Sequence, residues 1–325
     1  MRLFAFHSSH DFGEKVALSL GVSLDPHEER NFEDGEHKIR PLVSVRNEDV
    51  YVIQSLHADE QQSVNDKLCK LLFFISTLKD AGANRVTAIT PYLCYARKDR
   101  RTKARDPVTI RYVASLFEAM TADRIVTIDV HNLQAFQNAF RISSEHLETQ
   151  KIFAAYFKGI LTGDKKIVVM SPDIGGVKRA KQFQERLARE MSTDVDFAFM
   201  EKQRSKDIVS GETVIGDVNG KTVVILDDLI SSGTTIARAA AACGRMGADQ
   251  VFGVATHGMF SGKADNALRE TALHRIVVTN TIPPYRLKEI LSKEKVVILD
   301  VAPLFAEVIK RLHSGGSIVA LMEME

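Results

Sequence analysis

The stretch TVVILDDLISSGTTIARAAAACGRMGA, residues 222–248, decides the fold class of this chain. An apolar run at 223–226 leads into two aspartates, Asp227 and Asp228, and a cluster of serine, glycine and threonine follows at 231–235. An alanine-rich segment then begins near Thr234 and has the composition of a helix. A buried strand, a polar turn and a helix in this order indicate an α/β fold whose ligands bind where the strand ends.

The polar cluster at 231–235 has the composition of an anion site. The first backbone N–H groups of a helix have no partner within the helix, and the helix dipole adds positive potential there. Hydroxyl groups would add further donors, and Gly233 would let the backbone approach a ligand closely. We therefore predict a phosphate site, although SSGTT alone is more often an ordinary helix-capping cluster. The spacing of a Walker loop is absent, and the nearest candidate, GMFSGKA at 258–264, has the wrong spacing.

Asp227 and Asp228 point to the other end of the same ligand. Carboxylates repel phosphate, so these two side chains cannot serve the phosphate grip itself. They would suit hydroxyl groups, which need acceptors. Ribose 5-phosphate has that form, with a phosphate at one end and a diol a few ångströms away.

Eight short apolar runs alternate with helical patterns from one end of the chain to the other. Most of the runs are continuously apolar, as expected of parallel strands that are covered on both faces. The runs lie at 50–55, 85–90, 124–130, 166–171, 222–228, 250–256, 275–279 and 295–300. Apolar residues repeat at helical spacing over 64–79, and Gly82 stands where a glycine commonly ends a helix. We predict an α/β protein with mainly parallel sheets.

A weak internal repeat suggests that one domain has been duplicated. LKDAGANRVTAIT at 78–90 is similar to CGRMGADQVFGVAT at 243–256, and EAMTADRIVTID at 118–129 is a fainter copy. Helix-to-strand turns in unrelated α/β proteins also have this form. The polar stretch SSEHLETQ at 143–150 is the predicted boundary, between a first domain at 1–147 and a second at 148–301. A helix at about 302–325 is expected to pack back on the first domain.

The composition is that of an ordinary soluble protein. The 325 residues are 45% hydrophobic and 26% charged, with a net charge of +1. We therefore expect neither nucleic acid nor a membrane as a partner, and no apolar window reaches a membrane-spanning length. The scattered Cys69, Cys94 and Cys243 fit neither a disulfide framework nor zinc spacing, so we expect them to be core residues of a cytoplasmic protein.

The chain resembles the ribose-phosphate pyrophosphokinases, the family of phosphoribosyl-diphosphate (PRPP) synthetases. The acidic pair and the Ser/Thr/Gly loop resemble the PRPP motif that this family shares with phosphoribosyltransferases. The other matching segments, in order, are NFEDGEHKIR (31–40), PYLCYARKDRRTKARDP (91–107), TIDVHNLQAFQNAF (127–140) and SPDIGGVKRA (171–180). These matches cover nearly the whole chain and imply two similar phosphoribosyltransferase-like domains.

The resemblance implies the reaction, its cofactor and its assembly. The 1-hydroxyl of ribose 5-phosphate would attack the β-phosphorus of ATP, with Mg²⁺ as cofactor, giving PRPP and AMP for nucleotide biosynthesis. A homo-oligomer, either a dimer or a hexamer, is implied as well. Two other functions remain open at this point: a phosphoribosyltransferase that consumes PRPP, and a catalytically silent regulatory homologue.

The resemblance assigns the ATP site to the first half of the chain. Arg97, Lys98 and Asp99 match the family's ATP contacts, although Lys98 stands where the family commonly has glutamine. The basic run 97–105 that contains them could otherwise be a solvated face or a nucleic-acid patch. Phe32, Asp34 and Glu36 would contact the adenine or its ribose, and in the family they reach into the site of a neighbouring subunit.

The resemblance assigns metal and pyrophosphate contacts to two strand ends. Asp129 and His131 follow one strand, and His131 is implied as a magnesium or ATP contact. Asp173 is implied as a magnesium contact on the pyrophosphate side, where the backbone amides of Gly175 and Gly176 would reach the pyrophosphate.

The remaining implied residues lie in the second half. The polar segment EKQRSKDIVSGETVIGD at 201–217, an ordinary surface loop by composition, corresponds to a mobile catalytic loop in which Lys202 and Arg204 match the catalytic pair. The residues implied for ribose 5-phosphate are Asp227, Asp228, Ser231, Ser232, Gly233, Thr234 and Thr235. Many family members have Asp at 231, Thr at 232 and Gly at 234, so we expect altered sugar affinity rather than lost activity.

Overall fold

The computed structural model describes residues 1–161, 165–205, 208–269 and 272–323, without the side chains of 202–212 and 323. The chain divides into two compact units. The first consists of Met1–Glu148 together with Asp300–Glu325, and the second is Thr149–Leu299. The chain thus enters the second unit at Thr149 and returns to the first at Asp300.

The first unit contains a parallel sheet of five strands in the order β1-β4-β5-β6-β7 and a separate antiparallel hairpin, β2–β3. Its elements are β1 (Arg2–Ala5), α1 (His10–Leu20), β2 (His27–Asn31), β3 (His37–Pro41), β4 (Asp49–Ile53), α2 (Val64–Asp80), β5 (Arg85–Ile89), α3 (Thr109–Ala119), β6 (Arg124–Ile128), α4 (Leu133–Ala139), β7 (Ser143–Leu147), α10 (Ala302–Ser314) and α11 (Ile318–Glu323). All five residues of β4 are buried, because helices cover both faces of the sheet.

The second unit contains a sheet of seven strands in the order β10-β9-β8-β11-β12-β13-β14. Its elements are α5 (Gln150–Ile160), β8 (Ile167–Ser171), α6 (Val177–Met191), β9 (Val195–Ser205), β10 (Ile208–Ile215), β11 (Thr222–Ile230), α7 (Thr234–Arg245), β12 (Gln250–Gly258), α8 (Ala264–Arg269), β13 (Arg275–Thr279), α9 (Glu289–Lys295) and β14 (Val296–Leu299). All neighbouring strands pair in parallel except β9 and β10, which form an antiparallel hairpin.

The two sheets share one topology, and the prediction of two similar α/β domains with mainly parallel sheets is confirmed. The order β8-β11-β12-β13-β14 repeats the order β1-β4-β5-β6-β7 strand for strand. In each unit an antiparallel hairpin follows the first strand of the sheet and the helix after that strand. The hairpin β2–β3 follows α1, and the hairpin β9–β10 follows α6. The hairpin β2–β3 forms its own small sheet, whereas β9–β10 extends the main one.

The repeated sequence motif corresponds to one recurring turn. The turns before β5, β6 and β12 each contain a residue with positive φ, which is Gly82 (87°), Thr121 (60°) and Gly247 (83°). The next residue is alanine in each case, and its N–H donates to the carbonyl five residues earlier at 3.0–3.1 Å. This hydrogen bond closes the helix end in the Schellman manner, and Gly supplies the left-handed conformation without strain in two of the three turns.

The helix that follows each sheet packs in the other unit. Helix α5 follows β7 but packs on α6 of the second unit, where Phe153 and Phe157 meet Phe183 with ring centroids 6.5 Å apart. Helix α10 follows β14 but packs on α1 of the first unit, where Phe305 meets Phe12 at 5.5 Å. Burial of these aromatic rings stabilises the packing of both helices.

Three details differ from the sequence-based predictions. The boundary stretch 143–150 contains β7, a strand at the sheet edge whose polar residues are partly exposed. The polar segment 201–217 is not a loop over most of its length but the hairpin β9–β10, because main-chain pairing at a sheet edge does not require apolar side chains. Cys69 is exposed rather than buried, since it lies on the outward face of α2 while its neighbour Leu68 is buried, whereas Cys94 and Cys243 are buried.

No helix within the described residues is long and apolar enough to cross a membrane. The three cysteines are free.

Candidate active site

The carboxyl end of β11 carries the acidic pair. Strand β11 extends two residues beyond the pair, to Ile230, so Asp227 and Asp228 lie within the strand rather than after it. Arg179, in the first turn of α6, donates to both carboxylates, at 2.9 Å to Asp228 Oδ1 and 3.5 Å to Asp227 Oδ1. The Asp228 side chain is almost fully buried, and Asp227 Oδ1 also accepts from the backbone N–H of Asp228. One guanidinium therefore holds two neighbouring carboxylates together.

This arrangement affects the protonation of the pair. Burial, followed by the repulsion of the Asp228 carboxylate, raises the pKa of the Asp227 carboxyl above its usual range, and Arg179 only partly offsets the rise. Two adjacent carboxylates with one cation retain a proton more readily than an isolated aspartate does. A ligand that donates hydroxyl hydrogens would favour the charged form of the pair.

The amino-terminal end of α7 follows β11 directly. Gly233 is the N-cap residue with φ 74°, and no side chain caps this end of the helix. A Cβ atom at Gly233 would lie 2.8 Å from Cγ of Leu268, so only glycine fits. The surrounding hydroxyls bond to one another, with Ser231 Oγ 2.8 Å from Ser261 Oγ and Ser232 Oγ 3.0 Å from Thr234 Oγ1. A helix start with this environment can bind an anion through its backbone N–H groups.

The carboxyl end of β8 brings Asp173 and two glycines together. Asp173 Oδ1 accepts from the backbone N–H of Gly176 at 3.0 Å and so caps a short 3₁₀ turn, Ile174–Gly176, that precedes α6. A Cβ atom at Gly176 would lie 2.8 Å from Ser171 Oγ. Strand β8 pairs with β11, so this segment and the acidic pair lie at the same edge of the sheet.

Lys202 and Arg204 lie on β9 of the antiparallel hairpin. In the pairing, Lys202 is opposite Glu212, and Arg204 is opposite Val209. Their side chains are outside the part of the chain that the structure describes. The turn between the two strands, residues 206–207, is outside it as well.

In the first unit, Phe32, Asp34 and Glu36 occupy the turn of the hairpin β2–β3. The N–H of Phe32 donates to the carbonyl of Glu36 at 2.8 Å, and the N–H of Glu36 donates to Asp34 Oδ1 at 3.1 Å. Gly35 adopts φ 91°, which the turn requires. Phe32 is 39% exposed, and the guanidinium of Arg30 lies over its ring, 5.0 Å from the centroid. An exposed aromatic ring held on a hydrogen-bonded turn is a suitable surface for stacking a flat ligand.

The basic segment 97–105 follows β5 and is organised by Asp106. This carboxylate accepts from the backbone N–H groups of Thr102 and Lys103, from the Thr102 hydroxyl, and from Lys98 Nζ at 3.2 Å. The hydrogen bonds from Thr102 and then Lys98 hold the pKa of Asp106 far below its usual range. Arg97 remains exposed. Apart from Lys98, the arginines and lysines of the segment are exposed and so available to an anion.

Asp129 and His131 follow β6, the neighbour of β5 in the sheet. Asp129 has φ 43°, a strained backbone conformation for a non-glycine residue, and its N–H donates to the carbonyl of Leu147. His131 is exposed. The next residue, Asn132, caps α4 and donates to Asp99 Oδ2 at 2.6 Å, which fastens the basic segment to this strand end.

The structure therefore groups the predicted residues within each unit. Arg97, Lys98, Asp99, Asp129 and His131 share one strand edge of the first unit, and Asp173 shares one strand edge with Asp227 and Asp228 in the second. Sequence reasoning missed Arg179 and Asp106. The available signal for Arg179 was its position three residues after the second glycine of SPDIGG. The available signal for Asp106 was its position directly before a proline.

Two family descriptions match the chain. "N-terminal domain of ribose phosphate pyrophosphokinase" matches residues 1–120, and "Phosphoribosyl synthetase-associated domain" matches residues 188–323.

Individual proteins are similar to the chain over its whole length. A ribose-phosphate pyrophosphokinase of Caldanaerobacter subterraneus subsp. tengcongensis is 40% identical over 99% of this chain and 97% of that protein. A second, of Wolinella succinogenes, is 38% identical over 98% of each chain. The crystal structure of phosphoribosylpyrophosphate synthetase from Mycobacterium smegmatis matches with a TM-score of 0.88 and 35% identity, over 97% of this chain and 99% of that one. The expected relationship is confirmed, and this chain belongs to the ribose-phosphate pyrophosphokinase family of enzymes.

Proposed function

We propose that this protein is an active ribose-phosphate pyrophosphokinase that works in the cytoplasm and supplies PRPP for nucleotide biosynthesis. It transfers the β,γ-diphosphate of ATP to the 1-hydroxyl of ribose 5-phosphate. A bond forms between that hydroxyl oxygen and the β-phosphorus, and the bond from the β-phosphorus to AMP breaks. The observation that carries the proposal is the acidic pair on β11, followed directly by a helix start that no side chain caps.

Ribose 5-phosphate would bind at the end of β11. The N–H groups and hydroxyls of 231–235 would hold the phosphate, and Asp227 and Asp228 would accept hydrogen bonds from the ribose diol. A carboxylate offers about four lone-pair sites, so a carboxylate that already accepts from Arg179 can still accept from a sugar hydroxyl. Arg179 would act as a positioning residue that keeps the two carboxylates in place.

ATP would bind through the first unit. The cations of the basic segment, with Arg97, Lys98 and Asp99 as contacts, would hold the triphosphate. Phe32 would stack on the adenine of a neighbouring subunit's ATP, and Asp34 and Glu36 would accept hydrogen bonds from that nucleotide. This arrangement requires a homo-oligomer, a dimer at least and a hexamer if dimers stack.

Two strand ends, one in each unit, each offer a carboxylate donor that suits Mg²⁺. The carboxylates of Asp129 and Asp173 are oxygen ligands of the kind that magnesium prefers, and His131 would contact either the metal or the phosphates. When bound, the metal would neutralise phosphate charge. Gly175 and Gly176, which carry no side chain, would let the backbone approach the pyrophosphate.

Lys202 and Arg204 would stabilise the transferred diphosphoryl group. Phosphoryl transfer needs positioning and positive charge around the reacting phosphorus more than it needs covalent help from the protein.

The test is the formation of AMP from ATP and ribose 5-phosphate with Mg²⁺ and without any nucleobase. An active synthetase produces AMP and PRPP in equal amounts. A phosphoribosyltransferase would produce neither and would instead consume PRPP when a base is supplied. A silent homologue would do neither reaction, and either of these results would reject the proposal.

A further inference from the structure

Two histidines and a glutamate meet where β1 ends beside the hairpin β2–β3. His7 opens the short 3₁₀ turn that follows β1. His27 and Glu29 lie two residues apart on β2, so their side chains share one face of the strand. None of the three belongs to the substrate sites proposed above.

The three potential donor atoms lie close together. His27 Nε2 is 2.9 Å from Glu29 Oε1, and His7 Nδ1 is 3.6 Å from the same oxygen. Within the described residues, this is a group whose donor atoms all lie within 4.8 Å of one another. Two donors of a tetrahedral metal with bonds of about 2.0–2.1 Å are separated by roughly 3.3 Å, which falls between the 2.9 Å and 3.6 Å separations found here.

Burial distinguishes this group from an ordinary surface cluster. The His27 and Glu29 side chains are only 7% and 6% exposed, while the His7 side chain is 64% exposed. The rings of Phe4, Phe6 and Phe74 surround His27, with centroids 6.1, 6.0 and 5.7 Å away. A shell of aromatic rings excludes water from the inner ligands, and the exposed His7 leaves a path by which a metal can enter.

We propose that His7, His27 and Glu29 form a binding site for a borderline divalent transition-metal ion such as Zn²⁺, Ni²⁺ or Co²⁺. Two imidazole nitrogens and one carboxylate oxygen suit these ions, whereas Mg²⁺ prefers oxygen ligands throughout. The remaining coordination positions would hold water. In binding, the metal displaces any proton shared between His27 and Glu29, so affinity falls at acidic pH.

The metal would fasten the hairpin to the main sheet. The hairpin β2–β3 forms its own two-stranded sheet, and its turn carries Phe32, Asp34 and Glu36. The three ligands join its first strand to the end of β1. A bound ion would therefore stabilise the position of the hairpin, independently of the magnesium needed by the proposed reaction.

The test is a titration of untagged, EDTA-treated full-length protein with ZnCl₂, followed by calorimetry and by thermal unfolding. Co²⁺ as a second probe reports nitrogen ligation through its visible absorption. The variants are His7→Asn, which changes an exposed residue, and Glu29→Gln. The matched control is His10→Asn, because His10 is another exposed histidine close by that lies outside the cluster.

We expect one equivalent of Zn²⁺ per chain and a rise in Tm for the parent protein and for His10→Asn. Loss of a residue that supports a metal ligand commonly weakens metal binding roughly 10–100-fold. Loss of a ligand itself should weaken it at least as much, so we expect Zn²⁺ affinity to fall by at least that factor in both His7→Asn and Glu29→Gln. Excess Mg²⁺ should not compete. Absence of zinc binding in the parent, or equal binding in the parent and in a correctly folded His7→Asn, would overturn the proposal. Neither result depends on PRPP synthesis.

Discussion

The ends of β4 and β11 occupy the same position in the two units, yet they are used differently. After β4, the N-terminal end of α2 is closed by a capping box, in which Ser63 Oγ accepts from the N–H of Asp66 and Asp66 Oδ2 accepts from the N–H of Ser63. After β11, the N-terminal end of α7 starts at Gly233 and has no side-chain cap. A helix start that is capped by its own side chains has less capacity for a ligand, whereas an uncapped start can bind an anion. The uncapped start of α7, directly after the acidic pair, therefore leaves backbone N–H groups available to a ligand, whereas the start of α2 is occupied by its own side chains.

The two hairpins differ in a similar way. The hairpin β2–β3 stands apart from its main sheet and exposes Phe32, which suits contact with another molecule. The hairpin β9–β10 extends its sheet and carries Lys202 and Arg204 on β9. We expect the first hairpin to act on a neighbouring subunit and the second to act within its own chain.

The largest expected effect comes from the second hairpin. Lys202→Ala should lower kcat by roughly two to four orders of magnitude, because a preorganised charge acts mainly in the transition state. Steady-state kinetics should show a much smaller change in KM. Lys165→Ala, at an exposed position of the same unit, is the control. A kcat within a few-fold of the parent would remove Lys202 from the catalytic assignment.

A mixing experiment tests whether the two hairpins serve different subunits. Phe32→Ala with Glu36→Ala in one chain, and Lys202→Ala in another, should each be inactive. After subunit exchange, half of the dimers are mixed and one of their two sites is intact, so about a quarter of the parent activity should return.

The matched control mixes a chain that carries Lys202→Ala with a chain that carries Arg204→Ala, because both residues lie in the same hairpin. No site in such a mixed dimer is intact, so activity should stay at the level of the separate variants. Recovery in this control, or none in the first mixture despite demonstrated exchange, contradicts the shared-site arrangement.

A change in the acidic pair should weaken the binding of ribose 5-phosphate but not the binding of ATP. Asp228→Asn retains the size of the side chain and removes a charged acceptor, so ribose 5-phosphate affinity should fall roughly ten-fold or more, while ATP affinity changes little. Calorimetric titration with each substrate measures both. Asp66→Asn, at the capping box of α2, should lower stability without changing sugar affinity. An unchanged sugar affinity in Asp228→Asn rejects the diol contact.

The smallest expected effect is on the pH dependence of the protein's stability. Since the pKa of Asp227 is raised in the folded protein, the folded state binds more protons than the unfolded state as the pH rises above about 4, and stability falls over that range. Asp227→Asn removes this loss. It should be more stable than the parent by about 1 kcal/mol or more at pH 8, and the difference should shrink toward pH 4. Urea unfolding at both pH values measures it; a variant less stable at pH 8 would show that the ion pair with Arg179 dominates.

The sequence predicted the regular part of the molecule well. The eight apolar runs are strands, and α7 begins at Thr234 as predicted, because continuous apolar runs and helix-start residues reflect local preferences. The short apolar β1 and the largely polar β2, β3, β7, β9 and β10 were missed. Their stability comes from pairing with a neighbouring strand, which a local pattern does not contain.

The site was predictable by residue type but not by geometry. The acidic pair and the Ser/Thr/Gly loop were visible as a motif. The contact of Arg179 with Asp228 joins residues that are 49 positions apart, and no local spacing indicates it. The closure of the basic segment on Asp106 is local, but the hydrogen bonds depend on a backbone turn with Arg105 at φ 68°.

The placement of α10 has a consequence for biosynthesis. The first unit needs α10 to cover Phe12 and the rest of the buried face of α1, although most of its chain is complete at Glu148. During translation the N-terminal unit therefore emerges early but stays unfinished until α10 has been made. The second unit is continuous, from Thr149 to Leu299, and can close its core first. A stop codon between Leu299 and α10 would therefore leave the second unit complete and damage the unit that was translated first.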